Sequence, residues 1–489
     1  MNLIVWEEET FKSLLNSGMF KVTDYGPLYS PVNSFEIKRN DKKELILTTY
    51  SGGGSRKDKH KFDDLPSGSI HSLTDSITLS GSDMTVIAKG VWTRGLYVEP
   101  DLKTKTHVKK EISWIDTLEA IPENTEQVHQ LIEWVENLDT SLYSWPHSLS
   151  EKREISATRI FDNKNEELKQ HIKQSEYFSA RGCLCVNIDG NEIYIASSKE
   201  KESKQPNGPG FILYQKFLCE DVRRKIRECL SFTFGLPIIY LGYTLLSRKH
   251  EFIGFKAVTP YIIDESIFSR QALPPAPVGD AAGICRRINP IVFSRTVNAL
   301  FVHYDDLNFR QLSWDYWHAI FSPIHAQPVL LGACIEAIQV NYKRLEKYNS
   351  KLLDKKSAKY LRDEFLKIID SMPLREEEKR VLQNKANDLN NLPQRILNER
   401  FFASLSLEMS DKEKNVWTRR NDAAHGKERT QGDHGALMKD VNLLMNILHR
   451  IIISITDANS QYIDCYTPGY PIRQLRESVE ARIRFYFEK

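Results

Sequence analysis

A cluster of prolines divides the chain into two parts with different apolar patterns. Residues 273–280 read Leu-Pro-Pro-Ala-Pro-Val-Gly-Asp, and proline fixes φ and removes a backbone donor, so neither a helix nor a central strand can run through them. Before this stretch, short runs alternate apolar and polar residues, as strands do. After it, apolar residues recur every three or four positions, as in helices. The sequence therefore predicts a change of architecture near residue 273.

Length and composition favour a multidomain α+β protein. A chain of 489 residues, 41% hydrophobic and 27% charged, exceeds the size of one core and has the composition of a globular protein. We predict a β-rich region at 1–272, with a possible break into two subdomains near 120–180. A linker and bridging helix should occupy 273–311, and an all-α bundle 312–489.

Short strands with turn residues between them characterise the first 115 residues, a pattern typical of a sandwich or barrel. Strands are expected at 34–38, 44–50, 77–79, 84–88 and 91–92. The glycine-rich run 51–57 lacks the Gly-Lys-Ser/Thr ending of a phosphate-binding loop and is interpreted as a hairpin tip.

The middle of the chain contains both the alternating pattern of strands and the three- or four-residue spacing of helices. Apolar spacing predicts helices at 126–142 and 211–234, and the polar segment 166–175 is a further helix candidate. A hairpin is expected with strands 183–188 and 192–196 around Asp189-Gly190, and two more strands at 238–246 and 251–258.

From residue 285 onward the pattern is helical. Helices are predicted at 285–304, 329–345, 355–369, 374–389, 393–402, 411–420 and 437–455. Trp314, Trp317 and Phe321 form an aromatic stripe, which is interpreted as a packing face rather than a base-stacking surface.

Bulk properties restrict location and cofactors only loosely. The formal charge is +2, so any RNA-binding surface must be local. No secretory leader or apolar run long enough for a membrane span is evident, which favours a cytoplasmic protein without membrane contact. Seven scattered cysteines without a CxxC pair favour reduced thiols. A metal held by Cys183, Cys185, Cys219 and Cys229 remains an alternative.

The stretch most suggestive of chemistry is Arg-Asn-Asp-Ala-Ala-His-Gly at 420–426. A helix should precede it, with Ser410 as N-cap and Glu413 completing a capping box. Arg420 can grip a phosphate by a bidentate fork. His425 can exchange a proton near neutral pH. Two copies facing each other would gather these groups around one phosphate, and no metal or other cofactor is required.

Spacing alone is weak evidence, since three Arg–His pairs occur at separations of five or six: Arg419–His425, Arg420–His425 and Arg429–His434. The last lies in a polar stretch without apolar period, interpreted as loop. Changes at Arg429 or His434 are therefore expected to be near neutral.

The motif and its context resemble the HEPN ribonucleases, and the order of regions resembles the ApeA-like branch of bacterial anti-phage abortive-infection proteins. The resemblance is clearest over 312–456. It implies a metal-independent endoribonuclease and toxin that cleaves host RNA, tRNA being the first substrate to test, by 2′-OH attack. It also implies a composite site across a homodimer, and an N-terminal region that senses a phage-derived trigger protein or ligand.

Further residues are expected to support the site. Asn421 is assigned to the catalytic set, and Asp422 and Arg419 would orient groups or contact RNA. Glu336 is interpreted as a flank glutamate, with orientation of Arg420 or His425 as the alternative. A weaker RNA-binding assignment falls on Lys355, Lys356, Lys359 and Arg362, and the C-terminal arginines 473, 476, 482 and 484 would bind RNA or staple a dimer.

A different class of function is also compatible with these residues. In a non-catalytic helical module that binds RNA or protein, Arg420 would pair with an acid such as Asp422 or Glu336. His425 would then only cap a helix. Loss of RNA cleavage on changing either residue, with the fold intact, would distinguish the enzyme from the binding module.

Overall fold

A computed structural model describes residues 11, 15, 18–56, 76–82, 84–101, 106–122, 125–138, 143–161, 166–197, 208–260, 262, 267, 272–279, 286–424 and 434–480. Of 53–56, 99–101, 106, 125, 143, 151–161, 166–181, 286, 418 and 420–424 only the backbone is described. The chain forms two compact units. Unit 1 comprises Met1–Ala272 and Val278–Asn298, and unit 2 comprises Leu273–Pro277 and Ala299–Lys489. The fold is α+β, as predicted.

Unit 1 is built mainly from antiparallel strands. They are β1 (Lys21–Asp24), β2 (Tyr29–Arg39), β3 (Leu45–Arg56), β4 (Ser76–Ser80), β5 (Thr85–Lys89), β6 (Trp92–Asp101), β7 (Thr106–Ile115), β8 (Thr117–Ala120), β9 (Gln130–Glu136), β10 (Tyr143–Ser144), β11 (His147–Phe161), β12 (Glu166–Ile188), β13 (Asn191–Ser197), β14 (Gly210–Tyr214), β15 (Ile239–Leu246), β16 (Phe252–Val258) and β17 (Arg286–Arg287).

These strands form two principal sheets. One has eleven strands in the order β1-β4-β5-β8-β16-β15-β9-β14-β13-β12-β11, and the other has four in the order β2-β3-β7-β6. The predicted hairpin around Asp189 and Gly190 is confirmed, with Ile188 opposite Asn191. Both turn residues have positive φ, 49° and 71°, as a type I′ turn requires. Strands β10 and β17 form a separate parallel pair.

Two predicted helices in the middle of the chain are strands. In the described part of this segment, 126–138, the regular elements are a 3₁₀ turn at Thr125–Gln127 and strand β9. Six consecutive residues of β9 are buried, so apolar residues lie on both faces and their helical spacing is accidental. The polar segment 166–175 belongs to β12, which pairs along β11. Long-range pairing overrides local propensity there.

The predicted helix at 211–234 is half correct. Its first residues form β14, and helix α1 covers only Glu220–Phe234. A buried carboxylate on β9 holds α1 against the sheet. Glu133 accepts from Arg223 Nε at 2.9 Å and from Tyr214 Oη at 3.0 Å, and it also pairs with Arg227. Burial raises the pKa of Glu133, while Arg227 and Arg223 oppose that rise.

The glycine-rich run does not form a hairpin tip over its described length. Residues 51–56 continue β3, which pairs with both β2 and β7, and Gly52 lies opposite Val108. Lys57 lies outside the described residues. The interpretation of 51–56 as a turn is therefore wrong, because β3 pairs with β2 at Ser51 and again at Ser55 and Arg56, so the strand continues across the glycines.

Most described residues of unit 2 are helical. Its helices are α2 (Pro290–Val302, whose first residues belong to unit 1), α3 (Phe309–Phe321), α4 (Gln327–Arg344), α5 (Lys355–Ser371), α6 (Glu376–Asn387), α7 (Gln394–Ser404), α8 (Asp411–Ala424) and α9 (His434–Thr456). The helix predicted at 285–304 begins only at Pro290, because Arg286 and Arg287 form β17. Asp354 caps α5 by accepting from two backbone amides.

Unit 2 departs from an all-α bundle in two respects. Strands β18 (Gln461–Ile463) and β19 (Ile472–Gln474) form a hairpin after α9. The proline-rich residues 273–277 belong to unit 2, where Ala276 packs with Ile453, Ala458 and Tyr462. None of the helices in the described parts of the chain is long and apolar enough to cross a membrane.

The core of unit 2 contains an imidazole inside its longest helix. His449 on α9 is fully buried, and its Nε2 lies 3.0 Å from Tyr316 Oη on α3. Burial lowers the pKa of His449 from 6.5 to about 3. Between these values the unfolded chain binds a proton that the folded chain does not, so stability decreases as the pH falls from 6.5 towards 3.

We expect His449→Gln to flatten this pH dependence. The group contributes a slope of about 1.4 kcal/mol per pH unit within the window, and glutamine has no proton to gain. Denaturant unfolding at pH 4.5, 5.5 and 7.5 measures the slope. The exposed His129→Gln is the control and should keep the wild-type slope. A His449→Gln slope equal to that of wild type would contradict the assignment.

Candidate functional site

Helix α8, which carries the motif, begins with the predicted capping box. Ser410 donates from its backbone N and its Oγ to Glu413 Oε2, both at 2.8 Å. Glu413 N donates to Ser410 Oγ at 3.3 Å. The backbone N–H groups of Ser410 and Glu413 thus both have a hydrogen-bond acceptor, which fixes where the helix starts.

The same glutamate joins α8 to α9. Its other oxygen, Oε1, accepts from Arg450 Nη1 at 2.7 Å, and both side chains are 0% exposed. The remaining Arg450 donors reach the carbonyl oxygens of Glu408, Leu475 and Arg476 at 2.7 to 3.2 Å. A buried ion pair is tolerated when its other donors are bonded in this way.

A second ion pair lies closer to the motif. Arg419 Nη2 donates to Asp440 Oδ1 on α9 at 2.7 Å; the Arg419 side chain is half exposed and that of Asp440 is buried. Glu413 precedes Arg419 along α8, whereas Arg450, the partner of Glu413, follows Asp440, the partner of Arg419, along α9. The two helices are therefore antiparallel, and the end of α8 lies at the same end as the start of α9.

The described residues of the motif, 420–424, occupy that end. Arg420, Asn421 and Asp422 lie in the last turns of α8, which continues to Ala424 rather than ending at Arg420. The structure describes their backbone only, and His425 lies outside the described residues. Helix α8 thus places the backbone of Arg420, Asn421 and Asp422 at the end of the antiparallel helix pair.

Two further imidazoles lie at this end. His434 is the first residue of α9, so its assignment to a loop is wrong. Its ring centroid is 5.6 Å from that of His325, in the α3–α4 connection, and both residues are exposed. The sequence did not identify His325 as a site residue because it lies far from the motif along the chain. Tertiary packing alone brings it to His434.

The other predicted site residues are divided between two helices. Glu336 is exposed on α4, a helix that packs against both α8 and α9. The basic residues Lys355, Lys356 and Lys359 are exposed on α5 and Arg362 is half-buried there. Arg362 Nη2 donates to Asp363 at 2.8 Å.

The C-terminal arginines are not a single group. Arg473 is buried, and its Nε donates to Asp464 Oδ2 at 2.7 Å. That ion pair ties β19 to the turn after β18, so the expectation that Arg473 binds RNA or staples a dimer is wrong. Arg482 and Arg484 lie outside the described residues.

The aromatic stripe on α3 is a packing face for two of its three members. Trp317 and Phe321 are buried and stacked, with centroids 6.2 Å apart. Trp314 is exposed, and its ring centroid is 4.1 Å from that of His318. The packing interpretation is therefore wrong for Trp314.

Cysteines do not converge in the parts of the chain that the structure describes. Cys183 and Cys229 are buried, Cys185 is half-buried and Cys219 is exposed, and all four are free thiols. Burial raises the pKa of Cys183 and of Cys229. Among the described residues, no group of three or more His, Cys, Asp or Glu side chains is placed to hold a metal ion.

Comparison with known proteins leaves the chain without an assigned family: no family model, curated protein or solved structure matches it.

The Glu413–Arg450 pair provides a test of how the motif helix is held. We expect Glu413→Gln to destabilise unit 2 by about 3–5 kcal/mol, because Arg450 would keep a buried, uncompensated charge. Denaturant unfolding measures the loss. Asp411→Asn is the matched control, since its side chain is 92% exposed, and it should change stability by less than about 0.5 kcal/mol. Equal stability of Glu413→Gln and wild type would contradict the role of this pair.

Proposed function

We propose that this chain is a metal-independent endoribonuclease of the HEPN type, in which Arg420 and His425 are the catalytic pair. The observation that carries the proposal is the placement of the motif. Arg420, Asn421 and Asp422 lie in the last turns of a helix held by two ion pairs, Glu413–Arg450 and Arg419–Asp440, at the end where His434 begins α9. Rigid support of this kind is what a site needs to hold reacting groups in place.

The proposed reaction uses only side-chain chemistry. The imidazole of His425 takes the proton from a ribose 2′-OH, or gives one to the departing 5′-oxygen. The 2′-oxygen attacks the phosphorus, the P–O5′ bond breaks, and a 2′,3′-cyclic phosphate remains. The guanidinium of Arg420 holds the phosphate and offsets its charge, while Asn421 and Asp422 orient these groups.

His325 and His434 extend this proposal within one chain. Cleavage by 2′-OH attack needs one group that accepts a proton and another that donates one. Two exposed rings 5.6 Å apart, at the end of the helix pair where α8 stops, are suited to bind a phosphate or to supply the second proton transfer.

The biological setting follows from the family resemblance. In this proposal two chains face each other across a two-fold axis and form a composite site for host RNA, with tRNA as the first substrate to test. The β-rich unit 1 senses a phage-derived trigger and restrains the nuclease until infection.

A non-catalytic helical module that binds RNA or protein is the second candidate. One observation favours it: Arg419, the neighbour of Arg420, is engaged in an ion pair with Asp440. Arg419 therefore has a structural role on this helix. In that case changes at Arg420 would reduce stability or binding and would not affect any RNA cleavage.

The catalytic assignment predicts that Arg420→Ala and His425→Ala each lower RNA cleavage by at least about a hundredfold. Cleavage of purified tRNA and total RNA by the full chain, with product ends analysed for cyclic phosphate, is the measurement. Arg429→Ala is the matched control and should cleave at the wild-type rate. Unchanged thermal unfolding shows that each variant is folded.

Two results would contradict this assignment. One is cleavage that persists in both Arg420→Ala and His425→Ala. The other is cleavage that a chelator abolishes, since the proposed reaction uses no metal.

The position of His434 and His325 leads to a separate prediction. Although spacing alone predicts a neutral effect at His434, we expect His325→Ala combined with His434→Ala to reduce cleavage by roughly tenfold or more. His318→Ala, which removes another imidazole of α3, is the control. Wild-type cleavage by the double variant would remove this pair from the site and leave Arg420 and His425 as the proposed catalytic residues.

A further inference from the structure

The four-stranded sheet of unit 1 has an inner face, which belongs to the core, and an outer face, which is exposed along the edge strand β6. Leu47 on β3 lies opposite Ser113 on β7, and both residues are 0% exposed. Because side chains alternate between the two sides of a strand, Trp114 and the residues in register with it lie on the outer face. That face carries Trp92, Arg94 and Tyr97 of β6, Lys110 and Trp114 of β7, and Tyr50 of β3.

Two aromatic side chains of the outer face are exposed on β6, the last strand of the sheet. Trp92 is 50% exposed and Tyr97 is 54% exposed. They lie opposite Trp114 and Lys110, which are four residues apart on β7, so about 13 Å of strand separates them. The ring centroid of Trp92 is 5.4 Å from that of Trp114, edge to face. A ligand that covers both exposed rings must therefore be extended along β6.

Tyr97 belongs to a row of side chains that crosses the outer face. Lys110 lies directly opposite Tyr97 on one side and directly opposite Tyr50 on the other. A Cβ atom placed on Gly95 would be 3.2 Å from the Tyr97 ring, so the glycine leaves room for that ring above the strand. Side chains directly opposite each other on neighbouring strands are about 5 Å apart at Cβ. The lysine therefore lies between two tyrosines.

Cations outnumber acids among the described side chains of the outer face. Arg94 is exposed, and its guanidinium carbon is 4.3 Å from the centroid of the Trp114 ring. Lys38 of β2 lies on the same face, two strands from Trp114 in the same register. With Lys110 these make three cations, and the described acid of this face is Glu36, whose carboxylate is 3.9 Å from Lys38 Nζ. Rings interleaved with cations suit a polyanion that carries flat groups.

We propose that the outer face of this sheet is a binding site for single-stranded RNA, on a different unit from the proposed catalytic motif. Unpaired bases stack on Trp92 and Tyr97, and Arg94 and Lys110 contact the phosphates of the same strand. Four-stranded sheets can hold single-stranded RNA in this way, through aromatic side chains that stack two or three bases. A duplex fits less well, because its bases already stack on one another.

The chemistry of the outer face distinguishes between possible occupants. The rings and cations by themselves favour a single-stranded polynucleotide, and the choice of RNA over DNA rests on the ribonuclease activity proposed for unit 2. A protein partner with an apolar surface fits less well, because it would bury Arg94 and Lys110 without acceptors. RNA supplies phosphates for the cations and bases for the rings.

The first test measures binding of a 2′-O-methylated single-stranded RNA oligonucleotide to the full chain by fluorescence anisotropy. This oligonucleotide lacks the attacking 2′-OH, so its binding can be measured whether or not the chain cleaves RNA. We expect Trp92→Ala combined with Tyr97→Ala to weaken binding at least about tenfold, because two stacking surfaces are lost. Trp92→Phe combined with Tyr97→Phe keeps both rings and should bind within about threefold of wild type.

The same strand offers a matched control on the inner face. Leu96 and Val98 alternate with Tyr97 along β6, and they are 43% and 57% exposed. Leu96→Ala combined with Val98→Ala removes exposed apolar surface from the same strand and should leave RNA binding unchanged. Thermal unfolding of each variant separates a lost site from a lost fold.

A second test locates the bound strand without any substitution. Single-stranded RNA that contains 4-thiouridine is cross-linked to the full chain by ultraviolet light, and the cross-linked peptides are identified by mass spectrometry. We expect cross-links at Trp92 or Tyr97, because a stacked base lies in contact with the ring.

The salt dependence of binding tests the cations of the outer face. Arg94→Gln should reduce the steepness of log affinity against log salt by about 0.7, the value for one phosphate contact with a single strand. Arg395→Gln is the control, since the Arg395 side chain is 89% exposed on α7 in unit 2. It should keep the wild-type slope.

Four outcomes would overturn the inference. They are a wild-type chain that does not bind the oligonucleotide, unchanged binding after loss of Trp92 and Tyr97, an equal loss after removal of Leu96 and Val98, and cross-links confined to unit 2. If single-stranded DNA of the same sequence bound and RNA did not, the choice of RNA would be wrong. A chain that binds RNA through Trp92 and Tyr97 but cleaves none would refute only the ribonuclease proposal.

Discussion

The arrangement of the motif helix depends on one buried ion pair. Glu413 caps α8 with one carboxylate oxygen and binds Arg450 of α9 with the other, so a single side chain sets both where α8 begins and how it lies on α9. Two charges taken out of water are costly unless every donor and acceptor is bonded. Here the peptide oxygens around Arg450 complete its bonding. This requirement gives the helix pair one register.

Unit 1, which is built mainly from strands, also contains a buried carboxylate that joins two elements. Glu133 on β9 binds Arg223 and Arg227 of α1, as Glu413 binds Arg450 in unit 2. In both units a carboxylate with no exposed surface joins two elements through an arginine at least 37 residues away in the sequence. Apolar packing alone would tolerate sliding between such elements, whereas a bonded carboxylate allows a single position.

The helical half could be predicted from sequence because its signals are local. Ser410 and Glu413 are three residues apart, and the predicted start of α5, Lys355, is its first residue. The strands near the middle of the chain were mistaken for helices because their stability comes from partners elsewhere. β9 lies between β14 and β15, and burial on both faces conceals the alternation that identifies a strand.

The sequence by itself determined the α+β class, the capping box of α8, the helices of unit 2 and the existence of the Arg420–His425 motif, since these follow from spacing along the chain. Only the tertiary structure decided the order of the eleven strands, the burial of Arg473 and the meeting of His325 with His434. Those outcomes depend on contacts between residues that are distant in sequence, and neither local propensity nor periodicity encodes which distant segments come together.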